Sequence, residues 1–231
     1  MELSEVFYQS HQAPDAAIII QEFERVLTAF TAGLLLITVS ELGDKTFFIA
    51  VILSTQHPRR LVLPGVIAAL AAMTILSVVL GQAVSLLPKV LIDYAEIVLF
   101  IAFGIKLIYD GSKMSQNSCE TEVVEEAKEV IAKAEAQLKQ KNAWAIFLEA
   151  FVLTFMAEWG DRTQFATIAL AASNNVFGVT AGAILGHSIC AIIAVSCGKL
   201  IAGRISERQL TLIGGGLFIL FGIIAAVEMT V

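Results

Sequence analysis

Six stretches of this chain are apolar for the length a helix needs to cross a bilayer. They run over residues 26–54, 61–86, 91–110, 142–172, 176–201 and 208–229. The hydrocarbon core takes about 20 residues of α-helix. In lipid every backbone donor and acceptor must be satisfied within the protein. The expected fold is therefore all-α, a polytopic membrane protein with six transmembrane helices. The breaks between stretches carry turn chemistry or charge: His57-Pro58-Arg59-Arg60, Pro88-Lys89, Ser173-Asn174-Asn175 and Ser206-Glu207-Arg208. The first and fourth stretches exceed what a crossing needs, which leaves room for tilt or a break.

Composition agrees. Hydrophobic residues make up 57% of the chain, charged residues 16%, and the mean hydropathy is +0.80. Much of the charge lies between Lys113 and Lys141, so the net charge of -6 says little about partners. No basic patch stands outside ordinary loops, and nucleic acid is not an expected partner. Three cysteines make no disulfide framework. Cys190 and Cys197 read as small buried residues, and Cys119 as a free thiol on a reducing side. The first 22 residues lack the basic-then-apolar order of a secretory leader, so Met1–Glu24 is expected to belong to the mature chain.

The chain also repeats itself. A shift of 117 lays Ser40-Glu41-Leu42-Gly43-Asp44-Lys45-Thr46 on Ala157-Glu158-Trp159-Gly160-Asp161-Arg162-Thr163. Phe48 then falls on Phe165, Leu53 on Leu170, Gly65 on Gly182 and Gly81 on Gly198, while Gly104 meets Gly222 with one extra residue. The expected division is an N-terminal segment 1–25, a first three-helix repeat 26–110, a charged linker 111–141 and a second three-helix repeat 142–231. Three crossings per repeat insert the halves in opposite senses, giving 3+3 inverted repeats with a site near the midplane. Glu122–Gln140 is rich in Ala, Glu and Lys and should be helical, either as a solvated joint between the halves or as a regulatory arm. Lys and Arg concentrate on the side of that linker, which puts the linker in the cytoplasm and both termini outside it.

Both copies of the motif start near the middle of an apolar stretch. Glu41, Asp44, Glu158 and Asp161 therefore lie deep in the membrane, where an Asp costs on the order of 2.5–3.5 kcal/mol by insertion scales. Ion pairing four residues along, Glu41 with Lys45 and Glu158 with Arg162, is a structural alternative, but it leaves both aspartates unexplained. On a helix, residues three apart share a face, so Glu41 and Asp44 are expected to aim into one cavity, and Glu158 with Asp161 likewise. Thr46, Thr163 and Gln164 add oxygen ligands, and Gly43 and Gly160 allow close approach or an opened helix. Oxygen ligands select hard divalent cations such as calcium, magnesium or manganese. Neither motif holds a Cys or His for zinc or copper. Carboxylates crowded in an apolar surrounding bind a cation or protons but not both, which is the basis of exchange. Lys45 and Arg162 offset part of the charge.

The doubled Glu-x-Gly-Asp-Lys/Arg-Ser/Thr pattern, in a six-span chain with a charged central linker, resembles the family of calcium/manganese cation–proton exchangers. Golgi, chloroplast and cyanobacterial manganese transporters belong to that family. The resemblance covers nearly the whole chain from the first span to the sixth. It implies a secondary transporter, not an enzyme, with Mn2+ or Ca2+ as transported substrate and no permanently bound cofactor. It implies cation export from the cytoplasm against protons. Glu41, Gly43, Asp44, Lys45 and Thr46 match the first family motif, and Glu158, Gly160, Asp161, Arg162 and Thr163 the second. The setting it suggests is a bacterial plasma membrane or a thylakoid membrane. The bilayer, the cation and the proton are the expected partners, and a homo-oligomer is compatible with the sequence.

Other polar residues are read more loosely. His187 stands in the fifth stretch where the first half has Leu70, either as a proton relay or as an interhelical contact. Thr74 and Ser77 line the path or pack helices. Asp93, Glu96 and Glu149 read as interface or vestibule residues, Trp144 as an interfacial anchor, and Trp159 as packing beside the site. Two other functions remain compatible with the architecture. One is an efflux carrier for small organic solutes, and the other a membrane assembly factor acting through the 111–141 linker. No His-Glu-x-x-His or Gly-x-Ser-x-Gly motif supports an intramembrane enzyme.

Overall fold

A computed structural model describes residues 3–114, 125, 127–129, 131–132, 142–201 and 207–230; side chains are described for the same positions except 3–15, 197–201 and 207. Eight helices cover most of these residues: α1 Leu3–Glu41, α2 Lys45–Gln56, α3 Arg59–Val84, α4 Lys89–Lys113, α5 Ala143–Ala157, α6 Arg162–Ser173, α7 Val176–Ile201 and α8 Glu207–Thr230. Pro58 and Pro88 sit at the N-caps of α3 and α4. There their fixed φ suits the entry to a helix and their missing N–H costs nothing. The Asn142 side chain caps α5 by accepting the Ala145 N–H at 2.7 Å.

Among the described residues, four single helices are long and apolar enough to cross a membrane: Ala16–Glu41, Arg59–Val84, Val176–Ser196 and Arg208–Thr230. A fifth crossing comes from α5 and α6 if that pair, bent by 75° at its break, counts as one broken span. The chain is thus a multi-pass helical membrane protein. The first and fourth apolar stretches are each two helices rather than one. At 12 residues α2 is too short to cross alone. Asp93, Glu96, Lys106 and Asp110 along α4 give it more charge than an isolated span carries.

The repeat seen in the sequence extends to the element limits. Adding 117 to the bounds of α2 and α3 gives those of α6 and α7. Packing follows the same rule with the halves exchanged. A Cβ placed on Gly65 of α3 would stand 2.6 Å from the Phe147 carbonyl oxygen of α5. One on Gly182 of α7 would run into the carbonyl oxygen of Phe30, the residue of α1 that corresponds to Phe147. Between the last helices of the halves, Gly104 faces Ile219 of α8, and Gly222 faces the corresponding Ile101 of α4. Small residues let these backbones touch, the usual means of helix association where lipid supplies no hydrophobic drive.

Two apolar clusters fill the interior. One joins Phe47, Ile49 and Leu53 of α2 to Val62 and Val66 of α3, Ile146 and Ala150 of α5 and Val195 of α7. The other joins Leu36 of α1, Phe100 of α4, Leu170 of α6, Val179 of α7 and Phe218 of α8. The connection between the halves reaches the first cluster, because Ala127 and Ile131, four apart on a helix, are both buried in it. At those positions the linker is packed against the core rather than solvated. Most of the expected 122–140 helix, Cys119 and the side chain of Cys197 lie outside the described residues.

Candidate cation site

Each motif sits at a break between two helices. Glu41 ends α1, and Asp44 is the N-cap of α2. Glu158 is the C-cap of α5, and Asp161 the N-cap of α6. The glycine between takes a left-handed conformation, φ 79° at Gly43 and 80° at Gly160, which a side chain would strain. The turns close with Asp44 N–H donating to the Glu41 carbonyl at 3.2 Å and Asp161 N–H to the Glu158 carbonyl at 3.1 Å. The N-termini of α2 and α6 therefore open beside the carboxylates, where the helix ends favour negative charge.

One oxygen each from Glu41, Glu158 and Asp161 forms a group within 4.8 Å of one another, an arrangement that could hold a metal ion. Glu41 and Glu158 are each 2% exposed. The Thr46 hydroxyl donates to Glu41 Oε2 at 3.1 Å, and the Thr163 hydroxyl lies 3.3 Å from Glu158 Oε2 and 3.0 Å from Asp161 Oδ2. Asp161 Oδ2 also accepts the Thr163 N–H at 3.3 Å. Glu41 Oε1 and Glu158 Oε1 are buried without a hydrogen-bond partner among the described residues. A buried anionic oxygen left unpaired is costly, and a cation or proton in the group removes that cost. Gln164 braces the second turn: its Oε1 accepts the Gly160 N–H at 2.7 Å and its Nε2 lies 3.2 Å from the Met73 sulfur.

Asp44 stands apart from this trio. Its Oδ1 lies 3.2 Å from an Arg162 terminal nitrogen, and the same nitrogen donates to the Ser40 carbonyl at 3.2 Å. The pair joins the two halves, and Arg162 is thereby bound to Asp44 rather than to Glu158 four residues before it. Helical spacing put Glu41 and Asp44 on one face. Past the break at Gly43 they part, with Glu41 in the trio and Asp44 in the wall of a cavity of about 80 Å³, whereas the same break at Gly160 leaves Asp161 with Glu158. Leu107, Asp110 and Met114 near the end of α4 and Leu210 and Thr211 near the start of α8 complete that wall. That cavity lies at the linker ends of those helices and meets the motifs at Asp44 and Arg162.

The other sequence candidates distribute as follows. His187 is buried with its Nδ1 unpartnered among the described residues. One turn further along α7, the Cys190 thiol lies 3.4 Å from the Thr38 carbonyl oxygen. Cys190 also lines a small cavity beside Glu41 and Thr46. The Thr74 and Ser77 hydroxyls turn back onto carbonyls of their own helix at 2.9 and 2.8 Å. Trp159 is exposed and leans on Phe155 instead of packing on the carboxylates, because the turn at Gly160 throws it outward. Trp144 is exposed and stacks on Phe147. Glu149 is buried, 3.6 Å from the imidazole of His57. In the sequence His57 shows only as part of the turn before Pro58, since its partner is 92 positions away. Glu96 and Glu228 share a second, mostly apolar cleft of about 440 Å³ between α1, α4, α6 and α8.

A helical membrane protein with paired carboxylates at two broken helices is built to handle a cation. The family model "Divalent cation/proton antiporter GDT1" matches residues 29–115 and 146–231, and the chain belongs to that family. Among curated proteins, "GDT1-like protein sll0615" of Synechocystis is 61% identical over 201 residues, covering 87% of this chain and 97% of that protein. "GDT1-like protein 5" of Arabidopsis thaliana is 40% identical, with 86% and 95% covered. "GDT1-like protein 3" of Oryza sativa subsp. japonica is 41% identical, with 84% and 72% covered. No solved structure matches the chain. The family consists of transporters, so cation–proton exchange rather than catalysis is the activity class.

Proposed function

We propose that this antiporter exchanges Mn2+ or Ca2+ for protons, exporting the cation from the cytoplasm, with Glu41, Asp44, Glu158 and Asp161 as the ligand set. The observation that carries the reading is the buried trio with two unpartnered carboxylate oxygens. Three points no more than 4.8 Å apart have a common centre about 2.8 Å or less from each. Contacts of 2.3–2.6 Å to Ca2+ need only a small contraction. At 4.8 Å and an effective dielectric of about 20, two carboxylate charges repel by roughly 3.5 kcal/mol. A divalent ion or bound protons relieve that repulsion, and the two compete for the same oxygens.

Around the ligands, Thr46, Thr163 and Gln164 orient oxygens, Gly43 and Gly160 make the turns, and Lys45 and Arg162 balance charge. His187 is assigned a proton relay on the strength of its burial and open Nδ1. The architecture is six spans as 3+3 inverted repeats, with segments 1–25, 26–110, 111–141 and 142–231. Support comes from the shared element bounds and the exchanged glycine contacts. Basic residues on the linker side favour a cytoplasmic linker and outward termini, in a bacterial plasma or thylakoid membrane.

The test is proton movement in liposomes holding the purified protein and a trapped pH dye, with Mn2+ or Ca2+ added outside. Either cation should drive proton movement in the wild type, and Asp44→Asn and Asp161→Asn should be silent. Folded protein that moves no protons with either cation refutes the proposal.

A further inference from the structure

The two motifs are equivalent in sequence and backbone but not in what their aspartates do. Asp161 stands in the trio with Glu41 and Glu158, and its carboxylate caps α6 through Thr163. Asp44 makes no such cap on α2 and instead holds Arg162 of the other half in the wall of the linker-side cavity. The flanking contacts are unequal too. A Cβ on Gly43 would meet Leu210 of α8 at 3.0 Å, whereas one on Gly160 would meet nothing within 4 Å.

Two halves that are related by a sequence repeat and exchange contacts reciprocally can trade these roles. Under the repeat correspondence Asp44 maps to Asp161 and Arg162 to Lys45. With the one-residue offset of the last helices, Leu107 maps to Ala225, Asp110 to Glu228 and Gly214 to Glu96. The first members of those last pairs line the cavity at the linker end. The second members already border the cleft at the opposite end of α4 and α8.

We propose that Asp44 and Asp161 alternate as the third carboxylate of the cation site, the one left out being held by the basic residue of the opposite motif. In the present state Arg162 occupies Asp44 and the site faces the linker. In the exchanged state Lys45 holds Asp161, and Asp44 joins Glu41 and Glu158. The site then joins the cleft that already lies beside Glu96, Ala225 and Glu228. Arg162 and Lys45 are on this account tethered internal cations that set which side the site faces. The idea rests on the exchanger reading above and adds to it the residue-level switch between its two states.

Accessibility tests the switch separately from transport. Thr211 lines the linker-side cavity, so Thr211→Cys, in a chain with the three native cysteines replaced by alanine, reports its opening. The reporter protein is placed in nanodiscs, where both faces meet solvent, and reacted with a bulky maleimide. Arg162→Gln and Asp44→Asn break the same tether, and each should slow labelling at least fivefold. Arg162→Lys should recover most of the rate, and Lys45→Gln should not slow it. The proposal is overturned if Arg162→Gln or Asp44→Asn labels like the parent, or if Lys45→Gln slows labelling to the same extent. Should Arg162→Gln not fold, Asp44→Asn carries the same decision. Liposome exchange by the parent is read alongside. Its absence for both cations defeats the exchanger reading, whereas unchanged labelling in an exchange-competent protein defeats only the switch.

Discussion

Replacing Glu158 by glutamine removes one charge from the trio while keeping an oxygen of nearly the same shape and position. An ion at the centre of the trio lies about 2.8 Å from each oxygen. At that distance and an effective dielectric of about 20, a divalent ion gains roughly 12 kcal/mol from one carboxylate charge. The same carboxylate repels its two neighbours by roughly 3.5 kcal/mol each, and the substitution relieves that repulsion. The difference is about 5 kcal/mol, or between three and four powers of ten in affinity at ~1.4 kcal/mol per decade. The amide oxygen still coordinates and returns part of it. The half-saturating cation concentration should therefore rise by at least about 100-fold in Glu158→Gln.

The measurement is the dependence of proton release on Mn2+ and Ca2+ in dye-loaded liposomes, with matched protein content and thermal stability. Glu41→Gln should behave alike, since its carboxylate is equally buried and is likewise bonded by a threonine hydroxyl, that of Thr46. A half-saturating concentration within threefold of wild type in both variants would refute the trio as the binding site. A loss of maximal rate with unchanged half-saturation would move the two glutamates from binding to a later step.

Four further substitutions probe the scaffold, each read by thermal unfolding in detergent. Gly43→Ala and Gly160→Ala both put a side chain at positive φ, worth about 1–2 kcal/mol; Gly43→Ala should lose more, because only its Cβ also displaces Leu210. Gly65→Ala drives a Cβ to 2.6 Å from the Phe147 carbonyl oxygen, so the joint between the halves should weaken by about 1–3 kcal/mol. Asn142→Ala removes the α5 cap and should cost about 1 kcal/mol without changing cation half-saturation.

The features legible in the sequence were those that lipid enforces. Long apolar runs must become helices, and carboxylates placed mid-run must have a use; their duplication fixed the correspondence of the halves. The broken helices were readable only as an option, because a glycine in a helical pattern does not declare the sign of its φ. Once Gly43 and Gly160 turn left-handed, helical spacing no longer decides which carboxylates meet: Asp161 stays with Glu158, while Asp44 parts from Glu41. The Arg162–Asp44 and His57–Glu149 pairs join residues far apart in sequence, which local spacing cannot reveal. The buried face of the linker did leave a trace, in apolar Ala127 and Ile131 four apart among charges, but a solvated helix tolerates such a pair.

The unequal state of two equivalent motifs has a visible cause in the residues around them. The position that Gln164 holds in the second half is Phe47 in the first. Gln164 accepts the Gly160 N–H, which ties the second turn to its own half, and its Nε2 also reaches Met73 of α3 in the first half. Phe47 has no polar group to offer the first turn, and there the neighbouring contact is Leu210 of α8. Both motifs thus touch the opposite repeat, but only the second turn also has a polar side-chain brace from its own half. A tie within one half travels with that half, whereas a contact between halves must break when they move. The braced turn is the one whose aspartate stands in the trio. On the proposed switch, rearrangement begins at the first turn, where Asp44 must leave Arg162.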